Sequence, residues 1–534
     1  MSVRRVMGIE TEYGILGVGL PNANPMLMSA QLVTAYATEG LGGSSRAKWD
    51  YQDEDPLCDA RGWRLDRAKA DPSLLTDDPL APAPEGDPHR ITTRRRPAPQ
   101  PEPSTVANVI LPNGARYYVD HAHPEYSGPE VTSPRDGVLW DRAGDEVLLR
   151  SSRLLAQLPG MPEVVPYKNN TDGKGASYGT HENYLVDRAV PFDEIISAVT
   201  PFLVTRPIFC GAGRVGLGQR GQTPGYQISQ RADYLEAEVG LETTLRRPII
   251  NTRDEPHAEA DRYRRLHVIV GDANLLHVST YLKLGTTATL LWLLEQGQAA
   301  LELSALRLAD PVAAAHEVSR DLSLTTRLDL EDGRTMTALE IQRAYCDIIT
   351  REVAAAGPAD PQTTELLRRW ADVLDRLGSD IAATAREVEW VAKLQVLEGM
   401  RRRHSVDWDS PRLAALDLQW SDLRPEKGIY LRLEASGAVE TLVTGEEVEQ
   451  ALAHAPTDTR AYFRGEAIRR YGPQVAAANW DGVVFDVPEA DSLQRVPTPD
   501  PLRGTRAHVG ELLDRSADAG ALLTELVAQR DPSD

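Results

Sequence analysis

Apolar and polar positions alternate along four short stretches of this chain, 5–15, 115–120, 177–187 and 264–278, with the period of two that marks half-buried β-strands. In the first, Ile9 and Thr11 face one way and Glu10 and Glu12 the other; in the second, Tyr118 and Asp120 share a face. Between and after these stretches the period lengthens. From Ser133-Pro134 to Leu158 a capping serine and a first-turn proline precede apolar residues at Leu139, Ala143, Val147 and Leu154, a pattern that predicts a helix. Longer helical patterns cover about 280–298, 336–355, 363–378 and 381–402. Helices packed on a mainly antiparallel sheet, an α+β architecture, are therefore expected. At 534 residues the chain exceeds what one core organises. We expect a large domain over 1–434 and a small C-terminal domain over 435–534, with the break after the strand-like Gly428-Ile429-Tyr430-Leu431-Arg432-Leu433.

The strand faces carry the candidate chemistry. Glu10 and Glu12 project together from the first strand, and Asp120 from the second; Pro124 is expected to end strand pairing there and let Glu125 turn back. Carboxylates are costly to hold together unless protons or cations neutralise them, and oxygen ligands from several elements suit Mg²⁺ carrying nucleotide phosphates. Alternating acids also describe a solvated strand face, and His181 and His267, set among β-prone residues, also describe satisfied core histidines. The four segments together point to a site.

Those segments carry a family resemblance. Met7-Gly8-Ile9-Glu10-Thr11-Glu12-Tyr13-Gly14, Tyr117-Tyr118-Val119-Asp120-His121-Ala122-His123-Pro124-Glu125-Tyr126, Lys168-Asn169-Asn170-Thr171-Asp172 with His181-Glu182-Asn183, and Arg265-Leu266-His267-Val268-Ile269-Val270-Gly271-Asp272-Ala273-Asn274 resemble the Pup ligase/Pup deamidase family, itself similar to glutamine synthetase-type carboxylate-amine ligases. The likeness continues through Leu418-Gln419-Trp420-Ser421-Asp422-Leu423-Arg424-Pro425 and Thr459-Arg460-Ala461-Tyr462-Phe463-Arg464-Gly465. It implies a glutamine synthetase-like large domain, ATP (or ADP plus phosphate) and Mg²⁺ as cofactors, and the small protein Pup and pupylated proteins as partners. Two opposed activities occur in the family. The Asp-His-Ala-His-Pro-Glu run and a long insertion over about 41–105, with Trp49-Asp50-Tyr51 and Asp59-Ala60-Arg61-Gly62, resemble the branch that hydrolyses the Pup linkage and deamidates its terminal glutamine. The ligase is the alternative. By resemblance, Glu10, Glu12, Tyr118, Glu125, His181 and His267 surround Mg²⁺ and the phosphates, Arg231 and Arg253 with His267 face the cofactor, and Asp120 is catalytic, as nucleophile or as base for a water.

Composition narrows the setting. The net charge of −21 argues against nucleic acid as a partner. Three cysteines without paired spacing argue against a disulfide framework, and Arg4 and Arg5 lead into the first strand without a signal-peptide core, so a cytoplasmic location is expected. No apolar run is long enough for a membrane. A local basic groove for an acidic partner could draw on Arg401, Arg402, Arg403, Arg460, Arg464, Arg469 and Arg470, which equally describe a solvated helix face. The proline-rich 77–103 should lack a fixed fold, while Trp49, Tyr51 and Trp63 ahead of it could dock on the site as a gate. Gly211-Ala212-Gly213-Arg214-Val215-Gly216 matches a dinucleotide fingerprint, but no helix follows it, so a flexible loop is expected.

Overall fold

The computed structural model describes residues 4–20, 22–40, 47–52, 54–75, 77, 89–96, 106–172, 175–216, 223–244, 246–297, 299–488 and 490–528. Its central element is a six-stranded sheet of β1 (Met7–Glu12), β2 (Asn108–Ile110), β3 (Arg116–Asp120), β4 (His123–Ser127), β5 (Thr180–Asp187) and β6 (Tyr263–Val268) in the order β6-β5-β1-β4-β3-β2, antiparallel throughout. One face lies on α1 (Pro134–Gln157), capped by Ser133, and on α2 (His277–Glu295). The helix α2 is buried on nearly every side, which explains why its sequence is apolar all round. Ile9 and Thr11 point into this core, leaving Glu10 and Glu12 on the opposite face.

A second sheet of five strands organises a second, smaller core. Val475–Asn479, Gly482–Phe485 and Leu493–Pro497 form its centre, and both of its edges come from the insertion: Lys48–Trp49 runs parallel to the first and Thr92–Arg94 antiparallel to the last. A β-strand presents backbone donors and acceptors at its edge, and the insertion covers both edges here. Ala47 and Trp49 sit in this core with Tyr462, Phe463 and Phe485. The expectation that 77–103 lacks a fixed fold therefore fails for 89–96, where Thr92–Arg94 pairs with the sheet; 78–88 and 97–105 lie outside the described residues. Val439, Val443 and Leu452 belong to the large core, so the C-terminal share of the small core gathers from Tyr462 onward.

Four local readings are corrected. Gly428–Leu433 is not a strand: Ile429–Ala435 is helical, with Ile429 and Tyr430 buried in succession and the Tyr430 hydroxyl donating to Glu434 one turn on at 2.8 Å. The stretch 264–278 is a strand only to Val268, and His277 already begins α2. Pro124 does not end pairing; it lies inside β4 opposite Val119, whose N–H points away to Ala107, so no donor is required of the proline. The stretch 211–216 is fixed rather than flexible: Gly211 and Gly213 bond to Pro207 and Ile228, and Arg214–Gly216 pairs with Gly225–Gln227. No described helix is long and apolar enough to cross a membrane.

Candidate active site

Register brings the acids of β1 to ligands on either side. Glu10 lies opposite His181 of β5 and Ser127 of β4, Glu12 opposite Glu125, and Asn183 opposite His267. Two clusters result, in each of which the ligand atoms lie within 4.8 Å of one another: Glu10 with His181 and His267, and Glu12 with Asp120 and Glu125. Tyr118 stands at the second, its hydroxyl donating to Glu125 at 2.7 Å while Ser127 donates to the same oxygen at 3.2 Å. All six expected metal ligands thus meet on one sheet face.

The electrostatics of this face are unbalanced in a way that calls for cations. Burial, then Asp120, Glu10 and Glu12, push the Glu125 carboxyl well above the usual carboxylate range. Burial also opposes ionisation of Glu12, but a hydrogen bond from His123 and the charges of His181, His123 and Arg231 hold it at about 2. Glu10 behaves alike, with burial outweighed by His181 and His267. Burial, then Arg265 and His181, hold His267 well below its ordinary value, leaving a neutral ring able to act as ligand. Carboxylates, imidazoles and a phenol drawn from five strands are a donor set that fits divalent cations such as Mg²⁺.

Asp120 ends β3 and is only half-buried, where the chain reverses through His121 and Ala122 to His123. His121 takes the left-handed conformation at φ 51°, and Ser29 donates to the Ala122 carbonyl at 2.9 Å, fixing the turn. His121 Nδ1 lies 3.1 Å from Asp120. Behind the site, Gly179 donates its N–H to Glu12 at 2.9 Å, and a Cβ there would fall 2.2 Å from His181 Nε2, so only glycine fits.

The expected cofactor arginines fall at different places. Arg253 is buried against Glu255 at 2.8 Å, beside the Glu10 cluster, so its charge is already paired. Arg231, 2% exposed, donates to the Tyr178 carbonyl near Glu12, and its Nε has no partner. The expected basic groove is not formed by Arg460 and Arg464, which are buried on Glu130; Arg469 and Arg470 hold Glu466, and Arg401 and Arg402 hold Glu398. From the insertion, Trp49 lies 4.1 Å from the Arg116 guanidinium, which stacks on Tyr118 at 3.7 Å, and the Tyr51 hydroxyl accepts from Arg116 at 2.9 Å. Trp63 is 45% exposed under Arg61 and does not reach the site.

Sequence reasoning passed over His123, Asn183, Arg265 and Arg116. His123 holds Glu12 at 3.4 Å and stacks on Tyr178; Asn183 donates to Glu10 at 2.8 Å and accepts from Arg265 at 2.7 Å. Their strand parity was available, since Asn183 is two residues from His181 and Arg265 two from His267.

An antiparallel sheet that gathers one ligand cluster of three carboxylates and another of a carboxylate with two histidines, beside buried guanidiniums, is a site built for cations together with anionic ligands. The chain belongs to the Pup-ligase protein family, whose sequence profile matches residues 5–484. It is 51% identical over 529 residues to the Pup deamidase/depupylase of Mycobacterium tuberculosis, covering 99% of this chain and 100% of that one. Among solved structures it is similar to the ligase PafA in complex with the prokaryotic ubiquitin-like protein Pup, at 30% identity and a TM-score of 0.75, covering 99% of this chain and 95% of that one. It is also similar to PafA in complex with ADP, at 34% identity and a TM-score of 0.68, covering 76% and 90%.

Proposed function

We propose that this protein is a cytoplasmic ATP- and Mg²⁺-dependent amidohydrolase that deamidates the C-terminal glutamine of Pup and cleaves the isopeptide bond between Pup and a target lysine. The observation that carries this reading is the setting of Asp120: a half-exposed carboxylate at a fixed hairpin turn, within ligand distance of Glu12 and Glu125. Support comes from the relatives, since identity to a deamidase/depupylase is 51% over 99% of this chain, against 44% to a Pup–protein ligase over 68% of it.

In this reading Glu10, Glu12, Tyr118, Glu125, His181 and His267 hold Mg²⁺. Held there, a divalent cation would neutralise the carboxylates and supply Lewis-acid polarisation of phosphate and carbonyl oxygens. Arg231, Arg253 and His267 border the nucleotide. A cavity of about 70 Å³ between the sheet and the small domain, lined by Glu10, Gly128, Asn183, Arg265 and Trp480, adjoins the first cluster and offers room beside the phosphates. Asp120 acts in one of two ways. As nucleophile it attacks the side-chain carbonyl of the terminal residue, expels ammonia or the lysine amine, and is released when water cleaves the resulting anhydride. As base it takes a proton from the water that attacks the same carbonyl, and the amine leaves carrying a proton.

The test is to incubate the protein, Mg²⁺ and ATP with glutamine-ended Pup and follow ammonia and intact mass. Release of ammonia with a mass gain of one dalton is expected on exchange of –NH₂ for –OH. The ligase reading, which the structural likeness to PafA favours, requires instead no ammonia, and conjugation when glutamate-ended Pup and a target protein are supplied.

A further inference from the structure

Beside the Glu12 cluster stands a second guanidinium that the reading above does not use. Arg247 donates its Nε to the Thr243 carbonyl at 3.1 Å and one terminal nitrogen to the Ser177 carbonyl at 2.7 Å. Arg231 approaches the same short segment from its other side, donating to the Tyr178 carbonyl and lying 3.4 Å from the Ser177 hydroxyl. Burial, then the charge of Arg247, hold the Arg231 guanidinium below its ordinary value, burial does the same to Arg247, and both feel Glu12. Among the described residues neither meets a carboxylate at ion-pair distance; their partners are neutral oxygens. Arg231 is almost wholly buried with its Nε unpartnered. A buried cation such as Arg231 left without a counterion is costly, and a half-buried one beside it adds to that cost, unless an anion joins them. The arrangement differs from that of Arg253 and Arg265, both of which have Glu255.

We propose that Arg247, with Arg231, forms a carboxylate subsite that takes the α-carboxylate of the substrate's C-terminal residue. The inference rests on the amidohydrolase reading and adds what that reading lacks, a device that selects a terminal residue. A terminal glutamine whose side-chain amide is cut carries a free α-carboxylate, and so does a terminal glutamate joined through its side chain to a lysine. One anion site therefore serves both substrates. An internal glutamine has no such group and leaves the arginines unpaired, which is how a buried polar site rejects an analogue lacking its partner. Phosphate is the other anion at hand, but its charge would be met by cations held at the two ligand clusters, whereas the substrate carboxylate has no other cation assigned to it. The planar guanidinium suits it because the free edge of a fork matches two carboxylate oxygens.

The experiment compares wild type with Arg247→Met and Arg247→Lys on two forms of glutamine-ended Pup, one with the free α-carboxylate and one made as the α-carboxamide, with nucleotide affinity measured on the same samples. Loss of a charge-assisted pair predicts that Arg247→Met lowers kcat/KM for the free acid by about 10- to 100-fold. Nucleotide affinity stays unchanged, and Arg247→Lys recovers part of the loss. On wild type the carboxamide suffers a similar loss, and on Arg247→Met it loses little more, because the same interaction cannot be removed twice. The proposal is overturned if nucleotide affinity falls with the substitution, if the two losses multiply, or if Arg247→Met is indistinguishable from wild type. An absence of ammonia release by the wild type would instead overturn the amidohydrolase reading. Thermal unfolding of each variant separates misfolding from these outcomes, and the carboxamide ratio on wild type stands whether or not Arg247→Met folds.

Discussion

Buried arginines occur in this protein in two settings. Arg460 and Arg464, 3% and 2% exposed, enclose Glu130, and burial's tendency to raise that carboxyl is outweighed by their two charges, which hold it at about 2. Arg231, equally buried, and Arg247 face neutral carbonyls across from a carboxylate cluster whose own charges repel one another. The first trio joins the large sheet to the small domain and is complete. The second assembly sets carboxylates beside one another and guanidiniums against neutral oxygens, so its charges do not close among its own side chains. Where charges close on themselves they hold the fold; where they remain open on both signs they await ligands, and the cost falls on stability until those arrive.

The largest effect expected from this contrast is at Asp120. Asp120→Asn removes the nucleophile or base and one of three mutually repelling acids, so turnover should fall by at least about 10³- to 10⁴-fold while the melting temperature stays level or rises. Single-turnover ammonia release measures the first and calorimetry the second. Intact mass must show that the new asparagine has not reverted by deamidation. Retention of substantial single-turnover activity would remove Asp120 from the chemistry.

At the closed trio the signs reverse. Glu130→Gln leaves two buried guanidiniums without a counterion and should cost about 3–5 kcal/mol in denaturant unfolding, with little change in kcat of the folded fraction. The pH dependence follows from the same pair. Because the folded pKa of Glu130 is depressed to about 2 from an ordinary 4.5, its contribution is fully present above about pH 4.5 and is lost as pH falls toward 2. The stability gap between wild type and Glu130→Gln should therefore narrow on acidification below 4.5. A gap that is constant with pH would show that Glu130 is not the group responsible.

A smaller effect concerns the open clusters when filled. Mg²⁺ and ATP at about 100 times their dissociation constant should stabilise the wild type by about 2.7 kcal/mol, read as a rise in melting temperature reversed by EDTA. Glu10→Gln should lose most of that rise, whereas Glu130→Gln should keep it. Equal ligand shifts in both variants would contradict the division between open and closed charges.

How much of this was legible in the sequence depends on whether a residue's role is local. Strand parity set Glu10 with Glu12 on one face of their strand and Tyr118 with Asp120 on one face of theirs, because side-chain alternation is a property of the strand itself. The helix from Pro134 was likewise written in its cap and spacing. What could not be read was who meets whom across the chain. Arg460 and Arg464 looked like a groove because nothing nearby in sequence neutralises them; their acid, Glu130, lies over three hundred residues away. The edge strands at 48–49 and 92–94 are too short for any periodicity and are ordered only by the small domain's strands. Gly428–Leu433 alternates like a strand but is helical because its neighbours bury two adjacent side chains.

Arg116 tests the comparison from a third side, since its guanidinium is held by rings and a phenol. Trp49 and Tyr118 sandwich it, and the Tyr51 hydroxyl accepts from it at 2.9 Å while receiving a hydrogen bond from Asn108 at 3.3 Å. Such partners orient a cation without cancelling its charge. Tyr51→Phe keeps the ring and removes the acceptor, so the expected loss in kcat/KM is roughly 2- to 10-fold, corresponding to about 0.5–1.5 kcal/mol for one hydrogen bond. The melting temperature should move little, because Tyr51 is 38% exposed and outside the small-domain core that holds Trp49. Steady-state kinetics on glutamine-ended Pup and on a Pup conjugate make the measurement. A loss shared by both substrates is expected if the insertion orients Arg116 beside the Tyr118 and Glu125 cluster. Unchanged kinetics on both would mean that the first half of the insertion serves only the small domain's sheet.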